Sequence, residues 1–297
     1  MLPTEKRKVI DDISQEIIFA YGIPKVGKST FFSHFPDAVF LSTEEGLGHL
    51  EVFEAPINKW IDFLVMIDEL EKSKQFKTIV IDTVDNLWMF CQEFIYAKFS
   101  IGHESDLEWG KGWAYVEREF RKQVTRLSKI RGVGLCMISH SEEKEIKVKG
   151  KQETETKITH TLPPKARKLI AGMADMILYM EVDESNNRVI RTKPTVGYEA
   201  GDRTGKLPDT LPLNYDAFVK AYYGGNEGEA KEKLILAIEA GLTYLKEHTI
   251  DGFDTEKRVA NSMTKHLGFA NLRHPDVTIK QLQAYLQHLR LKGKEQK

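Results

Sequence analysis

The segment from Gly22 to Ser29 limits the possible folds of this chain more than any other feature. It reads Gly-Ile-Pro-Lys-Val-Gly-Lys-Ser and matches the pattern G-x-x-x-x-G-K-[ST]. The apolar run 17–21 precedes it and a predicted helix begins at Lys28, which is the strand–loop–helix context that the pattern requires. At average composition, a chance match in a chain of this length is expected about 0.01–0.02 times. We therefore interpret the segment as a phosphate-binding loop.

The residue types of this loop suit a nucleotide bound together with Mg²⁺. Gly22 and Gly27 let backbone N–H groups turn toward phosphate oxygens, and the dipole of the following helix adds positive potential. Lys28 is expected to reach the β- and γ-phosphates, Ser29 to ligate Mg²⁺ and Thr30 to contact the α-phosphate. The predicted nucleotide-binding residues are Gly22, Ile23, Pro24, Lys25, Val26, Gly27, Lys28, Ser29 and Thr30.

Strands and helices alternate through the first half of the chain. The predicted strands are 17–21, 38–42, 78–82 and 134–139, and the predicted helices begin at Lys28 or span 60–73, 86–99 and 113–130. This order predicts an α/β fold with a mostly parallel sheet covered on both faces. Further predicted elements are a hairpin at 145–160, a helix from Pro163 to about Ala171, and strands at 175–182 and 188–192.

The last part of the chain has a different character. A Gly-rich break separates a net negative part from a net positive part, and it is typical of a linker. We predict an ATPase-type core at 1–224, a linker at 225–229 and a small all-α C-terminal domain at 230–297. The helices of that domain are predicted at 230–248, 254–267 and 278–291.

Three polar residues stand where predicted strands end, and in a parallel sheet such ends meet the bound ligand. Asp82 is expected to bind Mg²⁺ beside Ser29; the alternative is a turn or cap residue. Glu44 is expected to polarise a water for attack on the γ-phosphate; the alternative is a solvated glutamate, as for Glu45. His140 is expected to sense the γ-phosphate; the alternative is a histidine that bonds a loop carbonyl.

Composition excludes several other classes of protein. The chain has 43 Lys and Arg against 44 Asp and Glu, so a globally basic surface for nucleic acid is absent. Its two cysteines, Cys91 and Cys136, speak against a disulfide scaffold or a zinc knuckle and fit a reducing cytosol. The N-terminal segment lacks the apolar stretch of a secretory signal, and no run approaches 18 apolar residues, so we expect no membrane association.

These motifs resemble the RecA-like core ATPases, and most closely the phage-encoded, RecA-related single-strand annealing proteins of the Sak type. The glutamate after the second strand is what indicates the RecA branch. The likeness covers roughly residues 15–222. It rests on Tyr21–Thr30, Phe40–Leu47, Ile79–Asp85, Ser139–His140 and Tyr198–Pro208.

The resemblance implies a RecA-like P-loop core that hydrolyses ATP with Mg²⁺ in DNA recombination or annealing. It implies single-stranded DNA as a partner, self-assembly into rings or filaments, and a location in the cytoplasm, that of the host if the chain is phage-encoded. A single-strand-binding or replication protein is a further expected partner. In such sites a cation from the neighbouring subunit completes the catalytic centre, and Arg203 is the candidate beside Arg191 and Lys193. The alternative for Arg203 is a surface ion pair with Asp202 or Asp209.

In RecA-like cores a loop after the sensor strand contacts single-stranded DNA, and the hairpin occupies that position here. Its predicted DNA-binding residues are Lys144, Lys147, Lys149 and Lys151. Glutamates interleave with the lysines and no aromatic residue is present to stack a base, so a solvated hairpin is the alternative. Two other functions stay open, a small-molecule kinase and a non-enzymatic nucleotide switch. The absence of arginine from the lid candidate 143–160 counts against the kinase.

Overall fold

The computed structural model describes residues 12–147, 154–223, 227–250, 253–274 and 276–294. They form two compact units, of which the first ends at Val219 and the second begins at Lys220. Residues 225 and 226 of the predicted linker lie outside the described residues, and 227–229 form the start of a helix. Among the described residues, no helix has both the length and the apolar character needed to cross a bilayer.

The first unit alternates strands and helices, as the sequence predicts. Its elements in chain order are β1 (Ile17–Gly22), α1 (Lys28–Ser33), β2 (Ala38–Ser42), β3 (Phe53–Pro56), α2 (Trp60–Leu70), β4 (Thr78–Asp82), α3 (Val84–Phe99), α4 (Lys111–Leu127), β5 (Gly134–Lys147), β6 (Thr154–His160), α5 (Pro164–Met173), β7 (Met176–Val182), β8 (Arg188–Arg191), β9 (Gly201–Asp202), β10 (Thr210–Pro212) and most of α6 (Tyr215–Tyr222), whose last residues belong to the second unit. Three short 3₁₀ turns lie at Ile13–Gln15, Glu104–Asp106 and Glu108–Gly110.

The sheet has the strand order β10-β8-β7-β1-β5-β4-β2-β3. The strands from β7 to β3 in this order are parallel, whereas β8, β9 and β10 pair antiparallel at one side and β6 pairs antiparallel with the extension of β5. The mostly parallel α/β fold predicted from the sequence is therefore confirmed. The carboxyl ends of the parallel strands form one edge, called the carboxyl edge below.

Burial explains why the central strands form. Every residue of β2 and β4 is buried, which fits their largely apolar sequences. Alternate residues of β1, including Phe19 and Tyr21, join a core cluster with side chains of α2, α3, α4 and α5. A separate aromatic group packs α1 against α6, with the rings of Phe31 and Phe218 5.2 Å apart. The helices therefore pack against the strands and form the hydrophobic core of the first unit with them.

The second unit contains α7 (Glu227–Glu247), α8 (Glu256–Leu267) and α9 (Ile279–Lys294). Its own core includes Ile238, Leu267, Leu282 and Tyr285. α7 packs on α9 at Gly241, where a Cβ would make ordinary van der Waals contact with Leu289 at 3.6 Å. The three predicted C-terminal helices are present, with bounds shifted by up to a few residues.

Candidate functional site

The phosphate loop joins β1 to α1 and has the backbone that its glycines permit. Gly27 has φ of +116° and Lys25 has φ of +64°, so the loop passes twice through the left-handed region. Gly22 is needed for a different reason than the sequence indicated. A Cβ at Gly22 would lie 2.1 Å from the carbonyl oxygen of Met180 in the neighbouring strand β7, so only glycine fits between the two strands.

Lys28 is buried at the first turn of α1. Its ammonium donates to the carbonyl oxygens of Gly22 at 2.8 Å and of Ile23 at 2.9 Å. Burial lowers the pKa of Lys28, while the carboxylates of Asp82 and Glu44 act in the opposite direction. The loop therefore holds a desolvated cation that can offset the charge of a polyphosphate, with two acids beside it.

Ser29 and Asp82 meet at the carboxyl edge. The Ser29 hydroxyl donates to Oδ2 of Asp82 at 2.5 Å, which brings a hydroxyl oxygen and a carboxylate oxygen side by side. Asp82 is 6% exposed, and burial raises its pKa although the bond from Ser29 lowers it. A buried carboxylate beside a hydroxyl suits Mg²⁺, which usually takes one or two protein oxygens and fills its other positions with phosphate and water.

The structure describes no cluster of three or more His, Cys, Asp or Glu side chains that would form an all-protein metal cage. The pair of Ser29 and Asp82 is consistent with that finding, because Mg²⁺ at such a pair depends on phosphate oxygens of the ligand. These residues fit the expected cation.

Glu44 lies at the same edge, held from two sides. Its Oε1 is 3.4 Å from Nε2 of His140, and its Oε2 accepts from Nδ2 of Asn86 at 3.3 Å. The contact with His140 lowers the pKa of Glu44 and raises the pKa of His140, in both cases against the effect of burial. Glu44 is therefore kept ionised, which is the state that a general base requires.

The strand order explains how these side chains come together. β5 lies between β1 and β4, so that His140 pairs in register with Gly22, and Asp82 with Ile138. Asp82 also pairs in register with Ser42 at the end of β2. The separate strand ends that the sequence identified thus converge around one loop.

Three polar residues of the site were not assigned a role from the sequence alone. Asn86 contacts Glu44, and Thr161 donates to Oδ1 of Asp85 at 2.6 Å. Ser139 donates to the same oxygen at 2.9 Å, and burial raises the pKa of Asp85. The polar pair Asp85-Asn86 within the apolar stretch 84–88 is a sequence signal for this position, whereas Thr161 has none.

The predicted DNA-binding lysines extend beyond the part of the chain that the structure describes. Lys149 and Lys151 lie outside the described residues, and only the backbone of Lys147 is described. Lys144 is exposed, and its ammonium is 2.6 Å from Oε1 of Glu142. The strand that carries them, β5, is continuous from the sheet through His140 into the hairpin.

Arg203 lies far from the phosphate loop of its own chain. Its guanidinium is 3.4 Å from Oδ1 of Asp175 and donates to the carbonyl of Gly172 at 3.3 Å. Asp175 also accepts from the N–H of Ile17, the first residue of β1, while the phosphate loop begins at its last residue. At about 3.3 Å per residue, Arg203 is roughly 16 Å along the sheet from the loop. Its ion-pair partner is Asp175 rather than Asp202 or Asp209, and a role in a neighbouring subunit stays a prediction.

The residues that form this site lie within a segment that matches a known protein family. Residues 14–204, more than half of the chain, match the family described as an AAA domain. Comparison with the curated proteins gives no match. The matched range includes the phosphate loop, Glu44, Asp82 and His140, and such P-loop domains generally bind ATP with Mg²⁺. This match does not test the narrower resemblance to annealing proteins of the Sak type, which stays a prediction. The chain belongs to the AAA domain family of P-loop NTPases.

Proposed function

We propose that this chain is a Mg²⁺-dependent ATPase that acts as a homo-oligomer on single-stranded DNA during recombination or annealing. The observation that carries the ATPase part is the convergence of three groups at the carboxyl edge. These are the cation of Lys28, the oxygen pair of Ser29 and Asp82, and the ionised carboxylate of Glu44 beside His140.

Each group has a distinct task in hydrolysis. Lys28 offsets charge on the β- and γ-phosphates, and Ser29 and Asp82 would hold Mg²⁺ beside them. Mg²⁺, when bound, supplies charge neutralisation at the phosphates. Glu44 accepts a proton from the attacking water, and its contacts with His140 and Asn86 orient the carboxylate for that step.

The DNA part of the proposal is supported by the path of β5. The strand leaves the sheet at His140, which contacts Glu44, and continues as one arm of the hairpin that bears Lys144. At the base of the hairpin, the N–H of Thr161 donates to the carbonyl of His140 at 3.0 Å. A change at the γ-phosphate position therefore has a short covalent and hydrogen-bonded route to the hairpin.

The ATPase part is tested by Glu44→Gln, with Glu45→Gln as the matched control. Glu45 is the exposed neighbour in the same turn and has the same side chain. We expect Glu44→Gln to bind ATP with wild-type affinity and to lose at least about 100-fold in turnover, since an amide cannot accept the proton. Glu45→Gln should hydrolyse ATP normally. Wild-type turnover by Glu44→Gln would move the base elsewhere, with Asp85 as the next candidate.

The DNA part is tested separately by adding single-stranded DNA to the wild-type ATPase assay. We expect turnover to rise with DNA, and the rise to be smaller in Lys144→Glu. The control is Lys122→Glu, which reverses an exposed charge on α4. An ATPase that does not respond to DNA would refute the DNA part and leave the hydrolysis part standing.

A further inference from the structure

A second cation, Arg188, lies against the phosphate loop. A Cβ on Gly27 would be 3.6 Å from Nη1 of Arg188 and 3.5 Å from Cδ2 of Leu213. The two residues are fixed relative to each other, because the N–H of Leu213 donates to the carbonyl of Arg188 at 2.9 Å. Arg188 begins β8 and Leu213 follows β10, so two sheet strands bring a guanidinium and an apolar side chain to the same point of the loop.

The guanidinium of Arg188 makes no hydrogen bond or ion pair with any residue that the structure describes. The other arginines of this region are paired. Nε of Arg191, on the same strand, donates to Glu181 at 2.7 Å, and Arg203 pairs with Asp175. The nearby carboxylate of Asp183 is engaged by the N–H groups of its own turn. An exposed arginine beside a phosphate loop is thus left with its planar face and its donors unused.

The position of Arg188 relative to the rest of the site indicates which part of a nucleotide it meets. Asp82 and Glu44 stand on the side of β1 where β5, β4 and β2 lie, and they determine where the γ-phosphate and its cation are held. Arg188 stands on the other side of β1, beyond β7. A triphosphate with its γ end at Glu44 therefore directs its nucleoside toward Arg188 and Leu213.

We propose that Arg188 and Leu213 form the nucleoside subsite, in which the guanidinium plane stacks on the base and the leucine packs against the opposite part of the nucleoside. A guanidinium is planar and weakly hydrated, so it stacks on aromatic rings far better than an ammonium does. This inference rests on the proposed nucleotide binding and assigns it a residue outside the phosphate-loop motif. Arg188 is a binding residue here and takes no part in the chemical step.

The test compares ligands that have a nucleoside with one that lacks it. Binding of ATP, ADP and inorganic tripolyphosphate is measured by titration calorimetry for the wild type, Arg188→Ala, Arg188→Lys and Arg188→Gln. The control is Arg131→Ala, which removes an exposed arginine from the turn before β5. This turn lies at the amino ends of the parallel strands, away from the phosphate loop. A thermal unfolding curve for each variant checks that it is folded.

We expect Arg188→Ala to weaken ATP and ADP by the same factor, about 3- to 30-fold, and to leave tripolyphosphate within about twofold. Arg188→Lys should resemble the alanine variant, because it keeps the charge and loses the plane. KM for ATP should rise while kcat at saturating ATP stays unchanged. Equal weakening of tripolyphosphate, or unchanged ATP affinity, would overturn the nucleoside assignment. A wild type that binds none of the three ligands would instead refute the proposed function itself.

Discussion

The buried imidazole of His160 makes the first unit sensitive to acid. His160 ends β6 and is 2% exposed, and its ring packs edge-on against Phe19 and Tyr21 with centroids 5.0 and 5.7 Å away. Burial, together with the positive charges of Arg167 and Lys144, lowers the pKa of His160 to about 3. The nearest carboxylate, that of Glu199, is 3.9 Å from Nε2 of His160.

Glu199 does not reverse this shift, because its carboxylate is already occupied. It pairs with Lys157 at 2.9 Å and with Arg167. Nδ1 of His160 has no hydrogen-bond partner among the described residues, so no acceptor at that nitrogen favours a second proton. The folded chain therefore keeps His160 neutral at a pH where the unfolded chain protonates it.

The loss of folding stability in acid follows from proton linkage. When folding lowers the pKa of a histidine, the free energy of unfolding is at its full value above the unfolded pKa of about 6.5. It falls as the pH drops below that value. The loss is about 1.4 kcal/mol per pH unit until the folded pKa is reached, which gives about 2 kcal/mol at pH 5. For a unit of this size, that corresponds to a fall of about 4–8 °C in unfolding temperature.

The assay measures the unfolding temperature of the wild type and of His160→Gln at about pH 7.5 and about pH 5. Glutamine stays neutral throughout, so the variant should lose about 4–8 °C less than the wild type on acidification, whatever its stability at neutral pH. His49→Gln, at an exposed position, should follow the wild type. If His160→Gln and the wild type respond equally to acid, the imidazole is not held neutral in the folded chain and the reasoning fails.

Three further predictions concern the nucleotide site. Lys28→Ala should weaken ATP at least about tenfold in calorimetric titration, since the phosphates lose the buried cation; an unchanged affinity would contradict the loop assignment. Burial raises the pKa of Asp82 on folding, so Asp82→Asn should leave the free protein at least as stable as the wild type. The variant should also lose the thermal stabilisation by Mg²⁺ and ATP, whereas Asp209→Asn should change neither property. Arg203→Ala mixed with Lys28→Ala should recover turnover if Arg203 acts in a neighbouring subunit, and no recovery in oligomers shown to be mixed would exclude that role.

The strands that the sequence predicted best are those buried on both faces. The bounds 38–42 and 78–82 agree with the structure, because a short, largely apolar run bounded by polar residues is typical of a strand in the middle of a parallel sheet. β3, at Phe53–Pro56, was not predicted. It is a four-residue strand at the edge of the sheet, it is largely exposed and it contains a proline, so it lacks both apolar continuity and alternation.

The fourth strand shows a different limit of sequence reasoning. It was predicted to end at Ser139, yet β5 continues to Lys147. Beyond His140 the sequence turns polar and no longer matches a buried strand. The extension pairs with β6 outside the main sheet, from Ser141 opposite His160 to Lys147 opposite Thr154, so its stability comes from a partner that is distant in sequence. A local pattern cannot indicate that one strand serves two sheets.

The strand ends of the site were predictable and the roles of the arginines were not, for a common physical reason. Glu44, Asp82 and His140 each follow a buried strand, and the parallel sheet brings such positions to one edge.

An arginine has a long side chain whose role depends on which carboxylate it meets. Arg188 and Arg203 look alike in sequence as exposed positions at the ends of short strands. Asp175, bound to the start of β1, engages Arg203 at the amino ends of the strands. Arg188 lies against Gly27 and has no acidic partner among the residues that the structure describes. Only the folded chain shows which carboxylate meets which arginine. Arg188 lacks an ion-pair partner among the described residues, and this, rather than a sequence motif, indicates that it is available to a ligand.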